Sequence, residues 1–226
     1  RERNLWDIPF AVGSLCGSSV QGFSLGAILQ GVTVANRQDA GGWWDCLTPF
    51  SLLTGAALVI GYCLLGATWL VMKSTGDLRE RAYGMSWWLL IATLVALGAV
   101  SLATPFLEAE YWRRWFTWPS ILFTAPVPLA VVAIAGLLSR SLAKRQDHLP
   151  FILSLVLFII TYAGLGISMW PYVVPQSVTI WEAAAPQSSQ LFMLVGVAIM
   201  IPIILAYTAF AYWVFRGKVE ADAGYH

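Results

Sequence analysis

Apolar residues run through this chain in six long stretches that no charged side chain interrupts. Asp, Glu, Lys and Arg are absent from residues 8–36, 46–72, 82–107, 115–139, 148–181 and 183–215. A helix needs about 20 residues to cross the hydrocarbon layer of a membrane. An ionised side chain at the centre of that layer costs about 2.5 kcal/mol or more. Each stretch is long enough to cross, so the pattern predicts six transmembrane helices.

The expected spans are about 9–34, 47–72, 83–107, 118–139, 149–174 and 190–215, within a single helical membrane domain of residues 1–226. A transmembrane β-barrel fits less well, because its strands are about ten residues long and alternate between apolar and polar positions. We therefore predict an all-α integral membrane protein.

Composition and charge narrow the function classes. Hydrophobic residues make up 58% of the 226 residues and charged residues only 11%, whereas a soluble domain has about 25% charged residues. The formal net charge is +1 and no basic stripe is present, which argues against a nucleic-acid partner. Membrane lipid is the expected surrounding.

Lys and Arg divide unequally between the loops on the two sides of the predicted spans. Three lie on one side: Arg37, Arg113 and Arg114. Ten lie on the other: Arg1, Arg3, Lys73, Arg79, Arg81, Arg140, Lys144, Arg145, Arg216 and Lys218. Because loops rich in Lys and Arg stay in the cytoplasm, both termini are predicted to be cytoplasmic. The chain opens without Met or a signal peptide, so we expect it to begin inside a longer gene product or to follow processing.

Residue types near the span ends suggest how the helices are anchored and packed. Aromatic residues beside charged loops are expected to anchor at the membrane surface; they include Trp43, Trp44, Trp87, Trp88, Tyr111, Trp112, Trp115 and Trp118. Glycine and serine run through the first span, which predicts that this helix packs closely against others. Cys16, Cys46 and Cys63 are interpreted as apolar packing residues, not as disulfide or metal ligands.

The spans lack the side chains that a membrane redox or proton-relay site needs. A pair of axial haem ligands at membrane depth requires His or Met. However, His148 lies at the start of the fifth span and His226 is the last residue. Met169, Met193 and Met200 have no histidine partner and are interpreted as packing residues. We therefore predict that the chain binds neither haem nor a metal ion. The polar side chains of Gln21 and Gln30, which lie within a span, are predicted to form hydrogen bonds between helices.

Two acidic positions are candidate sites. Glu182 is the only charged residue of the linker 175–189, and with its neighbour Trp181 it could contact a partner subunit or mark a proton exit. The alternative interpretation is a solvated loop acid. Asp7, at the opening of the first span, is a second candidate of this kind, although a helix N-cap before Pro9 is the preferred interpretation.

The carboxyl end carries the most specific sequence signal. It consists of the runs GLGISMWPYVVPQSVTIWEAAAPQSSQ (Gly164–Gln190) and PIILAYTAFAYWVFRGKV (Pro202–Val219). Together they closely resemble subunit II of the cytochrome bd ubiquinol oxidase family, which includes the cyanide-insensitive quinol oxidases. Earlier segments resemble the same family in the same order: LGAILQGV (Leu25–Val32), TPFSLLTG (Thr48–Gly55), LGATWL (Leu65–Leu70) and GDLRERA (Gly76–Ala82).

The resemblance implies a specific biological setting. Members of this family are terminal oxidases of the bacterial cytoplasmic (inner) membrane that oxidise quinol and reduce dioxygen to water in the respiratory chain. Subunit I carries haem b, haem d and the quinol-oxidising loop, and small accessory subunits are sometimes present. Subunit II has eight helices in two four-helix bundles, binds no haem and acts as a scaffold. Some members hold a structural quinone in subunit II, but no motif here fixes its position.

The chain departs from the family pattern in one respect. Its six predicted spans correspond to helices three to eight, so the first two are missing from this sequence. Acidic residues that line a proton path in some members belong to that missing part, and no catalytic residue is assigned here. We expect a non-catalytic subunit of a quinol:oxygen oxidoreductase. The alternatives are an assembly factor and a six-span membrane carrier or channel, although no repeated halves of the transporter type are found.

Overall fold

The computed structural model describes residues 2–31, 34–35, 38–39, 42, 44, 47–175 and 177–218. In these residues the helices are α1 (Glu2–Gln30), α2 (Pro49–Lys73), α3 (Gly76–Leu107), α4 (Ala109–Phe116), α5 (Ile121–Thr124), α6 (Pro126–Ala143), α7 (Leu149–Met169), α8 (Ile180–Ala183) and α9 (Gln187–Val214). The strands are β1 (Val34–Ala35), β2 (Gln38–Asp39), β3 (Tyr172–Val174) and β4 (Val178–Thr179).

The prediction of an all-α membrane protein with six spans is confirmed. The helical segments long and apolar enough to cross a membrane are Trp6–Gln30, Pro49–Lys73, Gly76–Leu107, Ile121–Ala143, Leu149–Met169 and Gln187–Val214. Helices α5 and α6 together form the fourth span. We call the end of the bundle where α1 begins and α9 ends the terminal side, and the opposite end the far side.

Short elements on the far side were not predicted. Helices α4 and α8 lie outside the spans, and the strands form two antiparallel ribbons, β1 with β2 and β3 with β4. Ribbons of this length are not stable alone, so they depend on the helix ends that they connect.

Two helices end several residues before the predicted span limits. Helix α1 ends at Gln30, short of 34, because Gly31 adopts a left-handed conformation (φ +80°) and its amide bonds back to the carbonyl of Ile28 at 3.0 Å. Helix α7 ends at Met169, short of 174, because Pro171 has no amide hydrogen and Tyr172–Val174 pair with β4 instead.

Close contact between α1 and α2 depends on glycine. A Cβ atom on Gly22 would lie 2.5 Å from the Cα atom of Gly55, and one on Gly26 would lie 2.6 Å from the Cα atom of Ser51. At this approach the Thr54 hydroxyl donates to the carbonyl of Gly22 at 2.9 Å. The C-terminal half of α1 therefore packs closely against α2, as its glycine and serine residues predict.

The N-terminal half of α1 differs from that expectation. Gly13 and Gly17 have no atom within 4 Å of an added Cβ, and the side chains from Trp6 to Gly17 are exposed. Cys16 and Cys63 are also exposed, so their interpretation as packing residues is wrong for the isolated chain. Cys46 and Trp43 lie outside the described residues.

Helix α2 lies at the centre of the bundle, in contact with α1, α3 and α7, while α6 packs between α3 and α7. The core is made of tightly buried residues from these helices: Leu64, Val71, Ala82, Tyr83, Leu90, Leu138, Leu142, Leu153 and Leu157. Between α2 and α7 the hydroxyls of Thr68 and Ser154 lie 2.9 Å apart, both fully buried. Hydroxyl pairs of this kind join helices without placing a charge in the membrane.

Helix α9 stands apart from this core. No residue of α9 is buried. Near its C-terminal end the ring of Tyr212 meets the ring of Trp69 edge-on, with centroids 5.7 Å apart. The Lys73 ammonium also donates to the carbonyl of Phe215 at 2.7 Å. The apolar length of α9 is therefore exposed in the single chain.

Candidate functional site

Helix α4 connects the ends of two spans on the far side. Tyr111 is buried, and its hydroxyl donates to the carbonyl of Leu29 at 2.9 Å, in the last turn of α1. Burial raises the pKa of Tyr111 to about 12, so the phenol stays protonated and able to donate. The prediction that Tyr111 is a membrane-surface anchor is wrong, because its ring is enclosed by the protein.

Arg114, which also lies on α4, binds the C-terminal end of α7. Its guanidinium donates to the carbonyls of Ile167 and Ser168 at 3.1 and 3.0 Å, and to the carboxylate of Glu110 at 3.2 Å. The indole of Trp115 donates to the Ser168 hydroxyl at 3.0 Å. A cation is favourable at a helix C-terminus, where carbonyls are left without helical partners.

Sequence reasoning missed this arrangement, because it counted Arg114 only as a loop charge. The available signal was Glu110 placed four residues before Arg114, a spacing that pairs side chains on one helical face.

Glu182 is engaged within its own linker. Its carboxylate accepts from the amide and the hydroxyl of Thr179, both at 2.9 Å, and its amide donates to the Thr179 hydroxyl at 3.3 Å. This capping box starts α8. The hydrogen bonds from the amide and hydroxyl of Thr179 hold the pKa of Glu182 below its usual value, so this fully exposed carboxylate is ionised at neutral pH.

Trp181 connects the linker to the end of α7. It is 65% exposed, and its ring meets that of Trp170 edge-on with centroids 5.7 Å apart. The pair holds α8 against the C-terminal end of α7, with much of the Trp181 ring exposed. An outward aromatic ring beside a fixed carboxylate keeps Trp181 and Glu182 as candidates for partner contact.

Asp7 lies elsewhere. It is on the terminal side, whereas Glu182 and Trp181 are on the far side, so the structure does not bring the three candidates together. The expectation that Asp7 caps the first helix is wrong, because α1 begins at Glu2 and continues through Asp7 and Pro9. Its side chain is exposed, and it remains only a candidate for an interface or a proton exit.

A charge network on the terminal side was also not predicted. Asp147, in the loop between α6 and α7, forms salt bridges with Arg79 of α3 and with Lys218 beyond α9. The hydrogen bond from Lys218, and then the charge of Arg79, hold the pKa of Asp147 below its usual value. Asp147 thus connects three segments that are distant in sequence: its own loop, α3 and the segment that follows α9.

Tyr83 supports the same network from within the bundle. The guanidinium carbons of Arg79 and Arg145 lie 5.5 and 5.4 Å from the centre of its ring, and its hydroxyl donates to the carbonyl of Gln146 at 3.1 Å. Arg145 has a φ of +53°, a conformation that favours glycine. A salt bridge with Glu80 and the contact with Tyr83 offset that strain.

Loss of the Asp147 charge should make stability depend less on pH. The folded-state pKa of Asp147 is depressed, so its contribution is present above the unfolded aspartate pKa of about 3.9 and is lost as pH falls through the lower folded value. We expect Asp147→Asn to be less stable than the parent at neutral pH, and this gap to close at acid pH. Thermal unfolding measured against pH tests this result.

The matched control for this experiment is Asp7→Asn. Asp7 is exposed and forms no salt bridge with any described residue, so Asp7→Asn should be as stable as the parent at neutral pH. A pH-independent gap for Asp147→Asn would show that the charge is not what stabilises this loop.

The residues that could hold a haem or a metal ion lie apart from one another in the part of the chain that the structure describes. Among the described residues, no group of three His, Cys, Asp or Glu lies together. His148 is exposed at the N-cap of α7, outside the span, and Met193 and Met200 project outward from α9. His226 lies outside the described residues.

Comparison with known proteins decides which family these features belong to. A family model for cytochrome bd terminal oxidase subunit II matches residues 1–215. The chain belongs to this family. The resemblance carried by the C-terminal runs is thereby confirmed over nearly the whole chain.

Individual relatives agree with this family membership. The chain is similar to cytochrome bd-I ubiquinol oxidase subunit 2 of Escherichia coli strain K12, with 29% identity over 98% of this chain and 68% of the relative. A probable cytochrome oxidase subunit 2 of Haemophilus influenzae is 30% identical over 97% and 67%. Cytochrome bd ubiquinol oxidase subunit 2 of Bacillus subtilis is 22% identical over 96% and 64%. The chain thus spans about two thirds of the length of these subunit II proteins.

Proposed function

We propose that this chain is the haem-free scaffold subunit of a cytochrome bd-type quinol oxidase, an enzyme that oxidises quinol and reduces dioxygen to water. The observation that carries the proposal is the family match over residues 1–215. On this proposal the partner is subunit I, which holds haem b and haem d, and small accessory subunits can join the complex. The haems supply the electron-transfer and oxygen chemistry.

The contribution of this chain is a dry, rigid wall beside the haem subunit. Its interior is rich in leucine, and the buried hydroxyls of Thr68 and Ser154 bond to each other and to backbone carbonyls of their own helices. A packed wall of this kind excludes water and maintains the spacing of the cofactors that it surrounds. The exposed lengths of α1 and α9 offer apolar surface for such a neighbour.

The proposed location is the bacterial inner membrane, with both ends of this segment in the cytoplasm. The excess of Lys and Arg on the terminal side supports this orientation. Several of these residues, Arg79, Arg145 and Lys218, are held in ion pairs there. Glu182 and Trp181 would then face the periplasm.

Visible spectroscopy tests the scaffold proposal. The chain is purified through an affinity tag from its native membrane, and a reduced-minus-oxidised spectrum is compared with that of the chain expressed alone. We expect haem bands from the complex and none from the lone chain. Deletion of the chain should abolish stable haem incorporation in the partner.

Three results would contradict the proposal. A colourless complex would favour a six-span carrier or channel. Haem bands from the lone chain would overturn the haem-free role. Full oxidase activity of the partner without this chain would show that it is not a required scaffold.

A further inference from the structure

Helix α4 has two faces with different surroundings. Its inner face carries Tyr111 and Arg114, which bind the C-terminal ends of α1 and α7. The outer face carries Trp112, Arg113 and Phe116, all exposed. Successive residues on a helix point about 100° apart, so the neighbouring residues Arg113 and Arg114 lie on different faces of α4.

The position of α4 relative to the spans is set by its inner contacts. Tyr111 and Arg114 are one turn apart, yet they reach the ends of two different membrane helices, so α4 lies across these ends. It follows α3, which ends at Leu107, and precedes the fourth span, which begins at Ile121. The helix is therefore at the level where hydrocarbon gives way to headgroups.

The outer face has the composition of a surface that lies in this layer. The rings of Phe106, Trp112 and Phe116 form a continuous row, with centroid separations of 6.2 and 4.7 Å. Trp112 is 48% exposed, Phe116 54% and Trp118, just beyond the helix, 76%. Aromatic rings of this kind are favoured at the membrane surface, and a short amphipathic helix with basic residues is typical of interfacial binding.

The charge of Arg113 complements a phosphate group. Arg113 forms no salt bridge with any residue in the described part of the chain, and it is exposed, as are Trp112 and Phe116. Its planar guanidinium can donate two parallel hydrogen bonds to a phosphodiester while the rings contact acyl chains. We propose that the outer face of α4, formed by Trp112, Arg113, Phe116 and Trp118, binds the headgroup layer of the far-side leaflet, with Arg113 on a phospholipid phosphate.

Spin-label accessibility tests this proposal. The parent is the oxidase complex carrying Cys16→Ser, Cys46→Ser and Cys63→Ser, in nanodiscs of phosphatidylethanolamine and phosphatidylglycerol. A label is attached at Phe116→Cys, and its collisions with oxygen, which concentrates in hydrocarbon, are compared with those of a water-soluble nickel chelate. A label at Ala184→Cys, an exposed linker position on the same side, provides the reference.

We expect the oxygen-to-nickel collision ratio at residue 116 to exceed that at residue 184 severalfold. A ratio equal to the reference would place α4 in water and overturn the proposal. Low collision rates with both reagents would mean that another protein covers this face, which also overturns it. If the variant at residue 116 does not assemble, a label at Trp118→Cys gives the same reading.

Two substitutions of Arg113 test its proposed contact with a phospholipid phosphate. Arg113→Glu, combined with the label at residue 116, should lower the oxygen-to-nickel ratio, while Arg113→Lys, which keeps the charge but not the two parallel hydrogen bonds, should lower it less. Equal ratios for the two variants would exclude a phosphate contact. The proposal requires only that the chain spans a membrane, so its failure would leave the proposed function unchanged.

Discussion

Gly22→Ala should destabilise the bundle by about 3 kcal/mol, because overpacking of a tight interface has costs of this size. The new Cβ would lie 2.5 Å from the Cα of Gly55, 3.0 Å from the carbonyl oxygen of Thr54 and 3.1 Å from the amide nitrogen of Gly55. All three atoms belong to the backbone and cannot rotate away. Helices α1 and α2 must therefore separate, which also lengthens the bond from Thr54 to the Gly22 carbonyl. Thermal unfolding of the chain purified alone in detergent measures the loss.

Gly17→Ala is the matched control on the same helix. An added Cβ at Gly17 meets nothing within 4 Å, and alanine is the better helix former by about 1 kcal/mol. This variant should be neutral or slightly stabilising, so the two substitutions are expected to have opposite signs. Equal effects would show that α1 and α2 do not meet at Gly22.

The number and class of the helices could be predicted because the membrane penalises charge so strongly. Residues such as Lys73 and Asp77 mark the turn between α2 and α3 directly, since a charge within a span is costly. Helix ends were less predictable. The end of α7 depends on Pro171 and on strand pairing by Tyr172–Val174, and an apolar pattern alone does not distinguish an apolar strand from the last turn of a helix.

The candidate site was predicted less well than the fold. Aromatic and basic residues occur on every face of the helix from Tyr111 to Phe116, so its composition predicted that all of its Trp and Tyr residues anchor at the membrane surface. Which of them face inward depends on where the ends of α1 and α7 lie, and that follows from helix packing. Asp147 is a similar case, because its partners Arg79 and Lys218 are 68 and 71 residues away. Sequence spacing carries no signal for such pairs.

Arg114→Ala should cost about 1.5–3 kcal/mol, the range expected for hydrogen bonds that involve a charged group. The substitution leaves the carbonyls of Ile167 and Ser168 without their donor, and it leaves the Glu110 carboxylate without its cation. The Arg114 side chain is only 19% exposed, so water replaces these bonds poorly. We expect the end of α7 to loosen, with earlier thermal unfolding and faster proteolysis of the linker that carries Trp181.

Two further variants separate the geometry of Arg114 from its charge. Arg114→Lys retains the charge but not the planar group that reaches two carbonyls and a carboxylate together, so it should recover only part of the loss. Arg81→Ala removes an exposed arginine that has no salt bridge among the described residues, and its effect should stay within about 0.5 kcal/mol. If Arg114→Lys were as stable as the parent, charge alone would hold α7. If Arg114→Ala matched Arg81→Ala, α4 would not secure the end of α7, and the inner face of α4 would need another explanation.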